Sequence, residues 1–305
     1  MTYSLLLEIA AYGVVAHWLH WLYGWSYAFL AAGAIAVALL NRLLMVFVTS
    51  AIAHRSRSPR EPAHGIGAPA ALAMLLREWG AVARAQLLLF PFERMALRPD
   101  PPPAPSRALP VVLVHGYYSN RGYFRSLVRS LEARGVHPVF TPNFPGTFAD
   151  IGAFAEALHR EIERVCAGTG SEQLALVCHS MGGLAAREYL CRHGAGRVRK
   201  LVTIATPHRG TLHARLGQGA NAREMRLGSA FLGALAGREG ERGPACGVTS
   251  IYTPHDNLVA PQDSSVLPWA RNIALPGRGH VEILSAQALA VLVAAELREC
   301  GAAGA

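Results

Sequence analysis

Three kinds of hydrophobic pattern follow one another along the chain. Residues 4–22 are apolar apart from Ser4, Glu8, His17 and His20, and residues 26–53 contain a long apolar run interrupted by Asn41 and Arg42. A bilayer requires roughly 20 such residues per helix, so residues 1–53 are expected to form two spanning helices, a hairpin turned at Tyr23-Gly-Trp-Ser26. Trp18, Trp21, Tyr23, Trp25 and Tyr27 gather at that turn, where amphipathic rings settle at a membrane surface. Glu8 and Arg42 are polar intrusions, and the hairpin brings both close to one water-facing side. Two rival readings stand beside this one. One is an atypical secretory signal, with Ala51-Ile-Ala53 resembling a cleavage site although no Lys or Arg precedes position 42; the other is a soluble core helix pair.

The second pattern covers residues 54–107. A basic run, His54-Arg-Ser-Arg-Ser-Pro-Arg60, comes first, and positive flanks of membrane segments stay in the cytoplasm. The expected location is therefore the inner (cytoplasmic) membrane with the remaining chain on its cytoplasmic side, export being the alternative. Residues 68–92 read as one helix, with Leu72, Leu75, Leu76, Trp79 and Val82 on one side and Arg77 and Arg84 on the other. Such a helix either lies in the lipid interface or packs on the domain that follows. Arg98-Pro-Asp-Pro-Pro-Pro-Ala-Pro-Ser106 then reads as a stiff extended spacer and a domain boundary.

From residue 108 to 305 the pattern alternates. Apolar, β-branched runs at 109–114, 137–141, 174–178, 200–204, 248–252 and 272–275 are candidate strands. Helical spacing is expected over 124–131, 151–165, 181–192 and 281–297. Strands alternating with helices predict an α/β fold, a mostly parallel sheet covered by helices on both faces.

Charge and cysteine usage change this picture little. Basic residues exceed acidic ones by nine, and Lys200 is the one lysine. No zinc spacing and no interleaving of aromatic and basic residues is present, so neither a metal nor nucleic acid is expected. Cys166, Cys178, Cys191, Cys246 and Cys300 are scattered and odd in number, as for small core residues in a reducing compartment.

The candidate chemistry lies in Leu174-Ala-Leu-Val-Cys-His-Ser-Met-Gly-Gly183. A buried strand breaks there into a small-residue turn carrying Ser180, and good helix formers follow. Such a turn throws the hydroxyl clear of the backbone and requires small neighbours. Gly182 supplies one, and Cys178 stands where glycine is usual on the other side. His179-Ser180-Met181-Gly182-Gly183 resembles the nucleophile elbow of α/β-hydrolases, and more narrowly of bacterial lipases.

That resemblance covers about residues 108–299 and implies an order of serine, acid, then histidine. Asp256, in Asp-x-x-Val-x-Pro, matches the acid loop, with Asp263 as fallback; His280, after Pro276-Gly-Arg-Gly, matches the catalytic imidazole. Val112-Leu-Val-His-Gly-Tyr-Tyr118 matches the first-strand oxyanion motif. By resemblance the donors are the backbone N–H groups of Tyr117 and Met181, Gly116 permits close approach, and His115 is a structural hydrogen-bonder. His208 precedes the acid, against the expected order, and is assigned no catalytic duty. Residues 211–247 exceed a short connection, so either a cap or lid over an acyl pocket or ordinary packing helices are expected.

The implied activity is ester hydrolysis of lipase or esterase type, on a lipid or other hydrophobic ester, without metal or organic cofactor. A thioesterase or acyltransferase would use the same three residues. A non-catalytic membrane scaffold on the same fold is the alternative of a different class.

Overall fold

The computed structural model describes residues 2–144 and 146–302, the side chains of 2–4 aside. Helices α1 (Thr2–Tyr23) and α2 (Tyr27–Arg55) form the expected hairpin, with Ser26 capping α2 by accepting from the Phe29 N–H. Both are long and apolar enough to cross a membrane. No described side chain of α1 is buried, and Leu7, Val14, Trp18 and Trp21 are each more than half exposed. The two polar intrusions meet: Arg42 donates through both terminal nitrogens to the Glu8 carboxylate. An apolar surface of this extent needs a cover, and lipid is one of that kind.

Helix α3 (Ala68–Arg84) returns along α2. Trp79 Nε1 donates to the Leu39 carbonyl at 3.0 Å, and Val82 shares a small core with Val46, Phe90 and Val281. The expected helix over 68–92 does not run through; it passes into a π-helical turn at Ala85–Leu89 and stops. The expected apolar stripe is also divided. Val82 is buried, whereas Leu72 and Leu76 are 59% and 50% exposed. A short helix, α4 (Glu93–Ala96), precedes the proline-rich stretch, which is extended but tied down. There Asp100 accepts from Arg121, from the Thr141 N–H and from the Thr141 hydroxyl, each at 2.7 Å.

The remaining chain alternates as expected. Strands β1 (Val111–Val114), β2 (Val139–Phe140), β3 (Leu174–His179), β4 (Val198–Ile204), β5 (Gly247–Tyr252) and β6 (Arg271–Ala274) pair in parallel in the order β2-β1-β3-β4-β5-β6. Both faces of the sheet are buried, which is why its central strands are uniformly apolar. Val112, Val114, Leu176 and Cys178 pack under α6 (Ile151–Thr169) and α7 (Met181–His193). Val111, Leu113, Ala175 and Val177 pack over α5 (Arg125–Glu132) and α10 (Gln287–Glu299). Between β4 and β5 stand α8 (Ala220–Glu224) and α9 (Ala230–Glu239).

The closing helix differs from expectation. Residues 282–285 form a 3₁₀ turn, Ala286 is extended (φ −73°, ψ 124°), and only then does α10 begin. Apolar spacing alone cannot register this break, because both pieces present the same buried face.

Candidate active site

The strand order reverses between β1 and β3, and in parallel sheets the crevice beyond the strand ends at such a point is where ligands bind. Ser180 sits there, between β3 and α7, with φ 55° and ψ −128°. A non-glycine residue in that conformation is strained, and it persists because the surroundings enforce it. Those surroundings leave no space for side chains: a Cβ on Gly182 would lie 2.5 Å from the Val114 carbonyl oxygen, and one on Gly183 would lie 2.3 Å from Thr206 Oγ1. Gly116, at the end of β1, has the same constraint, since its Cβ would fall 2.8 Å from that of Ser180 and 3.2 Å from the Met181 nitrogen. The chain after β1 is thus pressed against the elbow, bringing residues 117 and 181 side by side.

His280 and Asp256 are brought together from loops after β6 and β5. Imidazole Nδ1 lies 2.9 Å from Asp256 Oδ2 and 3.1 Å from Oδ1. The Leu258 and Val259 N–H groups both donate to Oδ1 at 2.7 Å, which fixes the carboxylate. Burial pushes the His280 pKa down, but the charge and hydrogen bond of Asp256, with the Glu78 carboxylate, outweigh it and hold the ring above the ordinary imidazole value. Asp263, the fallback acid, lies elsewhere: its half-exposed carboxylate takes Ser58 Oγ and Arg209.

His115, His179 and His208 are held as packing groups. His115 is buried, with Nδ1 3.1 Å from the Gly116 carbonyl and Nε2 accepting from the Phe144 N–H; burial lowers its pKa to about 4. His179 hydrogen-bonds through Nε2 to the His280 carbonyl oxygen at 3.1 Å, with the two rings 4.8 Å apart, so it braces the imidazole loop. His208 is buried against Thr203 and Arg187, and burial, with the Arg187 charge, keeps it neutral.

Ser180, His280, Gly116 and Tyr117 line one cavity of about 520 Å³, within the range of small-molecule sites. Its walls are mainly apolar. Met45, Val46 and Thr49 of α2 contribute to them, as do Val82 of α3 and Leu216 and Met225 from the 211–247 connection. Helix α9 instead packs on α7, through the buried Arg187–Glu239 ion pair and through Arg238 to Glu188. Tyr118, Phe148 and Leu216 line the cavity and remain exposed at 36%, 45% and 69%. Among the described residues no cluster of ligands suited to a metal ion is present.

Three residues near the site were not picked out from the sequence. Asn257 accepts the His280 N–H at Oδ1 (3.0 Å) and donates from Nδ2 to Thr49 Oγ1 on α2 (3.2 Å). Glu78 of α3 receives the next two N–H groups, those of Val281 and Glu282. The detectable signal was Glu78 itself, an acid three residues after Leu75 and four before Val82, on the apolar side of its helix.

Comparison with known proteins agrees with this architecture. Triacylglycerol lipases from Pseudarthrobacter phenanthrenivorans and Burkholderia plantarii are each 33% identical over 110 residues, which cover 33% of this chain and 34% and 30% of theirs. The chain thus spans about a third of the length of the curated relatives it matches. Aspergillus fumigatus lipase B is similar in structure with a TM-score of 0.56 at 20% identity, over 64% of this chain and 53% of that one. The mature form of Bacillus licheniformis lipase BlEst2 gives 0.55 at 18% identity, over 64% and 94%. These two likenesses bear on fold alone. The model of the alpha/beta hydrolase fold matches residues 110–279, more than half of the chain, and with the parallel sheet and the strained serine turn this places the chain in the α/β-hydrolase family.

Proposed function

We propose that this protein is a membrane-anchored serine hydrolase that cleaves carboxylic esters of lipids. The observation that carries the reading is that Ser180 and His280 line one mainly apolar cavity, with the His280 ring held from behind by Asp256.

In this reading Ser180 Oγ attacks the ester carbonyl carbon while His280 Nε2 takes its proton. Asp256 holds Nδ1–H, which fixes the tautomer with Nε2 free to accept, and it stabilises the imidazolium. Charge gathering on the carbonyl oxygen is met by the Tyr117 and Met181 N–H groups, already fixed before reaction. Collapse expels the alcohol, which takes the proton from Nε2. Water, deprotonated by the same nitrogen, then attacks the acyl carbon; the bond to Ser180 Oγ breaks, Oγ takes the proton back from Nε2, and the carboxylic acid leaves.

A bilayer substrate is supported by the wall that α2 supplies. Met45 and Val46 belong to a helix apolar enough to span lipid and line the same cavity as Ser180, which favours an acyl chain reaching the site from the α2 side. We place residues 1–53 in the inner membrane and the hydrolase unit, 108–305, on the cytoplasmic side, because the basic run 54–60 follows α2 directly. A reporter fused near residue 60 checks the side, and an external signal rejects this orientation.

A fluorophosphonate probe and a short-to-long p-nitrophenyl ester series test the chemistry. Labelling and hydrolysis are expected in wild type and are lost in Ser180→Ala. A folded wild type that neither labels nor hydrolyses refutes the reading in favour of a scaffold.

A further inference from the structure

We propose that Glu78, on α3 and ahead of the matched hydrolase unit, is a positioning residue for His280: its buried carboxylate clamps the backbone that carries the imidazole and sets a second negative charge against the ring. This rests on the assignment of His280 as the base. Nothing in the serine, acid, histidine order requires such a group.

Glu78 is 1% exposed. Both its oxygens accept from the Val281 N–H at 3.1 Å, and Oε2 also accepts from the Glu282 N–H at 2.8 Å. With the His280 N–H on Asn257, three successive N–H groups starting at the imidazole residue are held by side chains, two of them by this one carboxylate. The contact extends to the residue before His280 in the chain, where a Cβ on Gly279 would lie 2.3 Å from Glu78 Oε2. An ordinary helix cap comes from the neighbouring chain and faces water. Here the anion arrives from about 200 positions away in sequence and is sealed in, at a desolvation cost that a mere turn does not demand.

The charges around the ring can be named from every side. Asp256 holds Nδ1, and Glu78 lies beyond residues 279–282. The buried Tyr123 hydroxyl feels both carboxylates, and its ring stands edge-on to His179. His179 is neutral; Glu282 is occupied by Arg278 and Arg77. His213 lies across the cavity, with Nε2 on the Thr49 carbonyl and neutral through burial. Burial pushes Glu78 up to about 7, against the pull of the two N–H groups and of His280. The ionised Glu78 carboxylate favours the imidazolium form of His280.

The test measures kcat and KM of the full-length protein from about pH 5 to pH 9, for wild type, Glu78→Gln and Glu78→Ala, with fluorophosphonate titration counting competent sites. Glu78→Gln removes the charge and keeps an acceptor. Its acid limb should move to lower pH by roughly half a unit to one unit, with most of the high-pH rate kept. Glu78→Ala frees both N–H groups, and its kcat should fall by about 100-fold with KM nearly unchanged. A Gln limb superimposed on wild type overturns the proposal, and so does an Ala variant within about twofold of wild-type kcat. Should the Ala variant fail to fold, the Gln variant decides alone. Failure of the underlying assignment is read separately, as hydrolysis or labelling that survives Ser180→Ala or His280→Ala.

Discussion

Replacing Asp256 by Asn tests the site through one proton. Asp256 Oδ1 receives two backbone N–H groups at 2.7 Å, so an amide at this position must keep its oxygen there; an NH₂ would face two donors. The amide nitrogen then occupies the place of Oδ2, 2.9 Å from His280 Nδ1, and donates to it. Nδ1 becomes an acceptor, the ring proton moves to Nε2, and the nitrogen that must take the Ser180 proton is blocked. Inverting the tautomer in this way lowers kcat by about 10⁴, or ~5.5 kcal/mol of barrier. The fold should survive, since the amide keeps the two N–H bonds and removes a buried charge. Steady-state hydrolysis of p-nitrophenyl butyrate at pH 8, beside a thermal melt, measures both. A folded Asp256→Asn enzyme within about tenfold of wild type would refute the reasoning. Asp263→Asn, at a half-exposed carboxylate bonded to Ser58 and Arg209, serves as the control and should stay within about twofold.

Four further outcomes are expected. The wild-type kcat/KM should fall on the acid side as His280 is protonated, with its midpoint above the ordinary imidazole value; a midpoint below 6.5 contradicts the raised pKa. Gly182→Ala must drive a methyl group to 2.5 Å from the Val114 carbonyl, costing roughly 1–3 kcal/mol and the elbow geometry, so loss of probe labelling is expected and an unchanged labelling rate speaks against the packing described. Met45→Trp narrows the cavity on the α2 side and should slow long-chain esters at least tenfold relative to p-nitrophenyl acetate, roughly the discrimination a hydrophobic pocket affords; equal effects on both would detach α2 from the acyl path. His115 is buried with its pKa lowered to about 4, so between about pH 6.5 and 4 the unfolded chain binds a proton that the fold refuses, and stability falls with pH by on the order of 3 kcal/mol. Urea titrations at pH 7 and 4.5 should show a smaller loss in His115→Asn than in wild type, and parallel losses would exclude His115 as the source.

The hydrolase unit was legible because its chemistry is local. A buried parallel strand has to be apolar throughout, and the turn at Ser180 has to be built from small residues; both constraints are written into neighbouring positions, at 174–179 and 180–183. The pairing of His280 with Asp256 was reachable by motif and chain order, because each sits at the end of its own strand. The break at Ala286 was not. The 3₁₀ turn 282–285 starts where a carboxylate on α3 takes the N–H groups of 281 and 282 and ends with Ala286 extended, and no property of residues 281–297 announces either.

The N-terminal third shows the harder limit. Its hydrophobicity sets it apart from the hydrolase unit, and the proline-rich stretch 98–106 reads as the boundary between them. In the structure the same segment closes the cavity and reaches the imidazole loop twice. Thr49 on α2 takes the Asn257 amide whose oxygen holds the His280 N–H, and Glu78 on α3 takes the two N–H groups that follow. Partners about 200 positions apart leave no periodicity behind, and a single Glu on an apolar stripe reads as a fault in the pattern. Burying the Glu78 carboxylate costs hydration, and what it gains in return is the two N–H groups after His280 and the attraction between its charge and the His280 ring.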